Sequence, residues 1–429
     1  METNPMNRTH HASTPTATRL LGGLIAAALL WSTAGDDATA QEWTRFRGPN
    51  GSGISSAKTI PVSFDESDYH WNVELPGTGH SSPVLWGEKI FLTCNIEDED
   101  QRSIVCLDAN DGKVLWSRTE AFKPYPSHSL NNYAASTPAL DAERLYVSWV
   151  SDTKLIILAL DHQGEEVWRR TMDDYVSRFG AGASPIVIDG LVVVGNDHEG
   201  GYAFLLALDA KTGETRWKVP RKSGYASFIT PTVYQPEGRA KELLFIGPTH
   251  GITGVDAATG KVNWEVNPDF SLKTVASPIV AGGLVFATAG QGGGGKESAV
   301  VRPGTADSEA ELVYRLEDDL PYVPMPITVG EHLYILSDSG TMTCLEPTTG
   351  NAVWQESISG TYFASPICVD GKLYCVSRQG DVVVLAASPE FKLLAESRLP
   401  EGSHATPAVA DGRMYIRTYN RLICIGADR

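Results

Sequence analysis

One ten-residue phrase returns along the chain. "LDAKTGETRW" (208–217) reappears as "LDANDGKVLW" (107–116), "LDHQGEEVW" (160–168), "VDAATGKVNW" (255–264) and "LEPTTGNAVW" (345–354). A second landmark falls between the copies: a Ser/Thr-Pro pair leading into β-branched residues. It occurs at Ser82-Pro83, Thr137-Pro138, Ser184-Pro185, Thr230-Pro231, Ser277-Pro278, Ser365-Pro366 and Thr406-Pro407, with Met325-Pro326 in the one long gap. The eight anchors stand 40 to 55 residues apart, the period of propeller blades.

The unit from Ser184 to Trp217 reads as four strands. "SPIVI" and "LVVVGN" flank an Asp-Gly turn, and "DHEGG" leads into "YAFLLALD", followed by "AKTG" and "ETRW". Val, Ile and Tyr dominate short runs bounded by turn residues, which favours strands over helices. Such a sheet is apolar on both faces and is stable only between copies of itself. The eighth unit, "TPAVADGRMYIRTYNRLICIGADR", stops after its third strand, while "YHWNVELPG" (69–77) is an orphan strand ahead of the first unit. Trp71 precedes Ser82 by eleven residues, as Trp354 precedes Ser365. The expected architecture is therefore all-β: an eight-bladed propeller of four-stranded antiparallel blades, closed by an N-terminal strand completing the last blade. Its tryptophans are read as packing elements between blades, with Tyr314 substituting in unit five and Ala395 in unit seven.

The first forty residues stand apart. "LLGGLIAAALLW" (20–31) is too short for a mature membrane span, and Ala38-Thr39-Ala40 is a small-x-small site. A signal peptide is expected over 1–40, a propeller over 41–429, and a periplasmic or extracellular location. No membrane insertion of the mature chain is expected, and the chain is read as a monomer. A net charge of −17 disfavours nucleic acid and anionic membranes. Cys106, Cys344 and Cys424 share one repeat position with Ala159, Ala207 and Gly254, and so read as small buried residues. Cys94 is outside that pattern, which leaves a Cys94–Cys106 disulfide across the first hairpin open.

The Ser/Thr-Pro strand together with D-A-x-T-G-x-x-x-W resembles the repeat of pyrroloquinoline-quinone (PQQ)-type propellers. That family includes quinoprotein alcohol dehydrogenases and the outer-membrane assembly factor BamB. "WTRFRGPNGSG" (43–53), "GHSSP" (79–83) and "VVRPGTADSEAELVYRLEDDLPYVP" (300–324) look like an exported bacterial branch of it. For the dehydrogenases the resemblance implies PQQ and a calcium ion held by Glu and Asn near a catalytic Asp, and often two adjacent cysteines. This chain has no adjacent cysteines, and no catalytic residue transfers by motif.

In such propellers the loops entering each blade's inner strand surround the channel mouth, and the loops between each blade's second and third strands share that face. Counting back from the anchors gives His80, Asn132, Tyr133, Arg178, Phe228, Lys273, Tyr322, Tyr362 and His404 as candidate ligand or partner contacts, with Asn131, Phe179, Tyr225 and Phe363 beside them. Aromatic rings with cations suit a planar or carbohydrate-like ligand; the same rings can simply plug a channel. His80 and His404 become neighbours on ring closure and would face each other, though no third metal ligand accompanies them. "NDHEGG" (196–201) and "GQGGGGKES" (290–298) read as surface turns rather than calcium or phosphate loops. The loop 121–136 is the largest insertion and is expected to overhang the mouth or dock a partner. Arg45 and Arg47 are expected against the acidic surface. Three functions follow: a non-catalytic envelope scaffold, a PQQ- and calcium-dependent oxidoreductase, or a small-ligand receptor.

Overall fold

Each repeat folds as a four-stranded antiparallel sheet in the computed structural model, which describes Met1 and residues 43–97, 99–292 and 295–427. The leader expected over 1–40 lies outside the described residues, Met1 apart. Unit three is typical: strands 186–188, 191–196, 203–209 and 215–221 pair in sequence order. Eight such sheets form a ring around an axis lined by the short first strands, and helix among the described residues is limited to two 3-10 turns, Pro49–Gly51 and Glu66–Asp68. The last sheet is built from 408–410, 413–417 and 421–426, with Trp71–Glu74 as its outer strand. Trp71 sits opposite Cys424, so the N-terminal strand closes the ring as expected.

The repeated tryptophan joins one blade to the next. The Trp264 indole N–H donates to the Glu242 carboxylate of its own blade at 2.7 Å; in four other copies it donates to a turn carbonyl of the following blade: Trp116 to His162, Trp168 to Ala210, Trp217 to Ala257 and Trp354 to Ser388. Trp71 reaches Ala109 from the closing strand in the same way, and the Tyr314 hydroxyl reaches Pro347. The glycine of the receiving turn lies under the ring. A Cβ on Gly213 would come within 2.7 Å of Trp168, and one on Gly260 within 2.7 Å of Trp217. Glycine is thus required twice, by a left-handed φ and by the ring above it. Within its own blade each tryptophan lies across a small residue, Cys106, Ala159, Ala207, Gly254, Cys344 or Cys424. Where the aromatic shrinks to Tyr314 the partner grows to Val300, and opposite Ala395 it is Val384. Volume is conserved across the pair, as close packing demands.

The Ser/Thr-Pro anchors form a second ring, nearer the axis. The backbone N–H of Ser82 donates to the Thr137 hydroxyl, and that of Thr137 to Ser184. Thr230 donates to Ser277, Met325 to Ser365, and Ser365 to Thr406 in the same manner. The hydroxyl takes up an N–H that the inner strand's free edge would otherwise leave unpaired. Met325 supplies no hydroxyl for Ser277, and among the described residues the bond is also missing from Ser184 to Thr230 and from Thr406 to Ser82.

One open pairing is resolved, and one expectation is corrected. The first hairpin pairs Cys94 with Ser103 and Cys106 with Phe91. Residues 103 and 106 differ by an odd number along one strand, so the two thiols face opposite sides of the blade. Both are buried and free, and no disulfide joins them. Arg45 and Arg47, expected on the surface, are buried at the axis. The segment 43–55 runs into the channel and plugs it. Leu85 N–H donates to Trp43 O and Leu140 N–H to Thr44 O, and Ile54–Ser55 pair in parallel with the inner strand of blade seven. The Arg45 guanidinium donates to Pro231 O at 2.7 Å. That of Arg47 forks between Pro326 O at 2.9 Å and Pro366 O at 3.2 Å. These carbonyls belong to the anchor prolines, and inner strands expose such groups because nothing pairs their axial edge. Arg47, Gly48, Asn50, Gly51 and Gly53 all take left-handed φ, so the Gly/Asn content of "RGPNGSG" permits this tight path.

Candidate functional site

Above the plug, the channel mouth is a cavity of about 720 Å³ floored by Phe46 and ringed by the anchor residues Ser82, Thr137, Ser184, Thr230, Ser277, Met325, Ser365 and Thr406. Of the nine candidates, His80, Phe228, Lys273, Tyr322 and His404 line it. The other four lie off its wall. The Asn132 side chain ties its own loop, accepting from Ala134 N–H and donating to Thr78. Tyr133 packs on Phe122 and Tyr125 and donates to Tyr125 O. Arg178 is exposed and paired with Glu199 at 3.1 Å. Tyr362 is fully buried, and its hydroxyl donates to Ser359 O. Counting back from an anchor identifies the loop but not which way each side chain turns.

Sequence reasoning missed Arg378, Lys296, Asp338 and His128, which complete the wall. Arg378 and Asp338 sit in the turns between second and third strands, one blade before the anchors that were counted. The 121–136 insertion contributes His128, Leu130, Asn131 and Ala135 to the same wall. The "NDHEGG" stretch is not a solvated turn. Asp197 is buried and accepts a bidentate pair from Arg221 at 3.1 and 3.0 Å, and the stretch makes no common ligand set with Glu199, which goes to Arg178. Residues 293–294 of the Gly-rich tip lie outside the described residues; Gln291 and Lys296 on either side reach the cavity.

The wall is cationic and aromatic. Lys273 Nζ stands 3.2 Å from the centroid of Phe179, and burial lowers its pKa. It makes no ion pair among the described residues. Lys296 pairs with Asp338 at 3.1 Å, and Asp338 also accepts from the backbone N–H groups of Tyr322 and Val323. The Arg378 guanidinium lies 4.4 Å over Phe363, and its Nε donates to His404 Nε2 at 3.2 Å.

His80 and His404 do meet, with ring centroids 4.4 Å apart. Burial, the other imidazole and Arg417 push His80 down to about 2; burial and Arg378 push His404 down to about 4. Both rings are therefore held neutral at pH 7. Because the folded pKa lies below the unfolded one, their contribution is complete above pH 6.5 and fades as acidification proceeds toward 4. Chemical denaturation should show the wild type losing about 5 kcal/mol more than a His80→Gln/His404→Gln double variant between pH 7 and 4.5, about half from each ring. Parallel losses would mean that the pair is not held neutral.

The cavity was tested against PQQ and calcium. A calcium ion needs several hard oxygen ligands. Among the described residues Asp338 is the one carboxylate on the wall, and Lys296 and two N–H groups already occupy it. No group of three or more His, Cys, Asp or Glu converges on a common point among the described residues. The residues do not fit that pair of groups.

Eight four-stranded blades closed by an N-terminal strand place the protein in the class of eight-bladed β-propellers. Its backbone superimposes on the quinohemoprotein alcohol dehydrogenase of Comamonas testosteroni with a TM-score of 0.64 at 13% identity, covering 91% of this chain and 81% of that one. For BamB of Moraxella catarrhalis the values are 0.60, 14%, 83% and 96%. The family model described as outer membrane protein assembly factor BamB matches residues 100–356 and 319–390, and the chain belongs to that family. BamB of Yersinia pestis is 21% identical over 287 residues, 62% of this chain and 68% of the relative. A polyvinylalcohol dehydrogenase of Sphingopyxis sp. (strain 113P3) is 26% identical over 241 residues, 46% of this chain but only 34% of the relative. The chain thus spans about a third of the dehydrogenase it matches.

Proposed function

We propose that the chain is a non-catalytic, exported protein-binding propeller of the bacterial cell envelope, a scaffold and not an oxidoreductase. The cavity wall carries this reading: three cations, aromatic rings and a single committed carboxylate suit recognition and lack the acid set that a calcium-quinone reaction needs. The BamB relatives support it by matching over most of their own length. A ring whose blades are joined by hydrogen bonds at most of their inner and outer contacts is a stiff platform, and stiff platforms present loops without a large ordering cost on binding.

Calorimetric titration of the chain with PQQ plus calcium is expected to give no heat, and dye-linked alcohol oxidation no turnover. In the same study a photo-crosslinking residue at Tyr225, on the mouth face, should yield one discrete envelope-protein adduct in cells. Stoichiometric PQQ binding with turnover would overturn the proposal in favour of the oxidoreductase.

A further inference from the structure

Apart from Met1 and Ile54 of the plug, the exposed large apolar side chains among the described residues fall into two groups. Val114, Leu115, Val167, Val262, Leu312, Val353 and Leu393 each open the outermost strand of their blade. They are scattered around the rim, as single exposed apolar residues are on any protein. Leu130, Val176, Tyr202 and Tyr225 break that pattern. All four lie on mouth-side loops of blades two to four, and Tyr202 is 87% exposed.

These loops are tied into one surface. Asn131, beside Leu130, donates to Phe179 O at 2.8 Å. Val176 O accepts from Glu199 N–H, and Glu199 holds Arg178, which feels the Tyr225 hydroxyl. Phe179 lies against Lys273, and both line the cavity with Leu130, while Val176, Tyr202 and Tyr225 stand on the neighbouring loops outside it, beyond the Arg178–Glu199 pair. That ammonium is partly desolvated and has no carboxylate within ion-pair distance among the described residues; Glu199, held by Arg178, acts on it only from farther off. A chain of net charge −17 thus turns a cation, framed by apolar rings, toward an open cavity.

We infer that this sector docks an extended acidic-apolar segment of a partner protein, with a carboxylate on Lys273 and apolar side chains on Leu130, Val176, Tyr202 and Tyr225. The inference rests on the scaffold reading and specifies its surface. A carboxylate would replace the hydration that Lys273 has lost, while the apolar neighbours exclude water and strengthen the pair. The aromatic patch supplies contact area at low entropic cost.

The probe is a fluorescein-labelled hexapeptide alternating aspartate with leucine and phenylalanine, followed by polarisation against the whole chain. Binding in the micromolar range is expected, with an asparagine-for-aspartate twin about 10-fold weaker. Lys273→Gln should weaken the acidic peptide about 10-fold, Lys273→Arg should restore most of it, and Tyr202→Ser/Tyr225→Ser should cost about 5-fold. Unchanged thermal melts establish that the variants are folded. Equal binding of the twin, indifference to Lys273→Gln, or full competition by benzoate at the peptide's own concentration overturns the inference. If the peptide fails while the Tyr225 adduct forms in cells, this inference falls and the scaffold reading stands. A peptide that binds as expected without any adduct upholds the site and sinks the envelope reading.

Discussion

Arg47→Ala is expected to lower the unfolding free energy by about 3–5 kcal/mol, read from guanidinium denaturation. The Arg47 side chain is fully buried, and its fork closes the carbonyls of Pro326 and Pro366, which belong to the inner strands of blades six and seven. Alanine would leave both carbonyls without a donor where water is scarce, at about 1–3 kcal/mol each. It would also leave a void where the fully buried side chain stands. The charge itself is costly to bury, and that cost is recovered on substitution, which keeps the net loss below the gross sum. Arg47→Met separates the two effects, since it fills the volume but donates nothing. It should lose nearly as much as alanine. Arg47→Lys should recover only part, because an ammonium cannot span both carbonyls as a planar fork does. A methionine variant as stable as wild type would show that the arginine merely fills space.

Trp217→Ala is the second large effect, again about 3–5 kcal/mol. The side chain is 7% exposed. It donates to Ala257 O at 3.1 Å and covers Gly260 in the next blade. The informative measurement is the double-mutant cycle with Gly260→Ala. In the wild type a methyl at residue 260 meets the indole at 2.7 Å on a backbone of φ +75°, and should cost about 2–3 kcal/mol. With Trp217 already removed, only the backbone strain remains, about 1 kcal/mol. A coupling of about 1–2 kcal/mol is therefore expected between residues in different blades. Additive losses would mean that ring and glycine are not in contact.

The two variants probe opposite radii of one ring. Arg47 acts at the axis on strand edges, and Trp217 acts at the periphery between blade faces. Neither position touches the cavity wall, so peptide binding by the folded variants should be unaffected apart from the smaller folded fraction. This separation of stability from recognition is what a repeat ring offers: identical joints hold the shape, and loops that escape the repeat carry the differences.

The amino-acid sequence alone determined the number of blades, the order of strands within each and the closing role of Trp71, because periodicity and turn chemistry are local signals repeated eight times. It also determined that the tryptophans pack between blades and that Cys106, Cys344 and Cys424 are small-residue substitutes, since each is repeated in register. Only the tertiary structure decided what happens where elements from distant blades meet. The plug was legible as an unusual Gly-rich stretch but not as a channel filler, because its partners Pro231, Pro326 and Pro366 lie 186 to 319 residues away. The separation of Cys94 from Cys106 hung on a hairpin register that a one-residue difference inverts. His80 and His404 were brought together by ring closure, as the sequence implied. Arg378 and Asp338 reached the same cavity from a different class of loop, and Tyr362 turned into the blade contact instead. Side-chain direction at a loop is set by the packing of neighbouring blades, and that information is not carried by any single repeat.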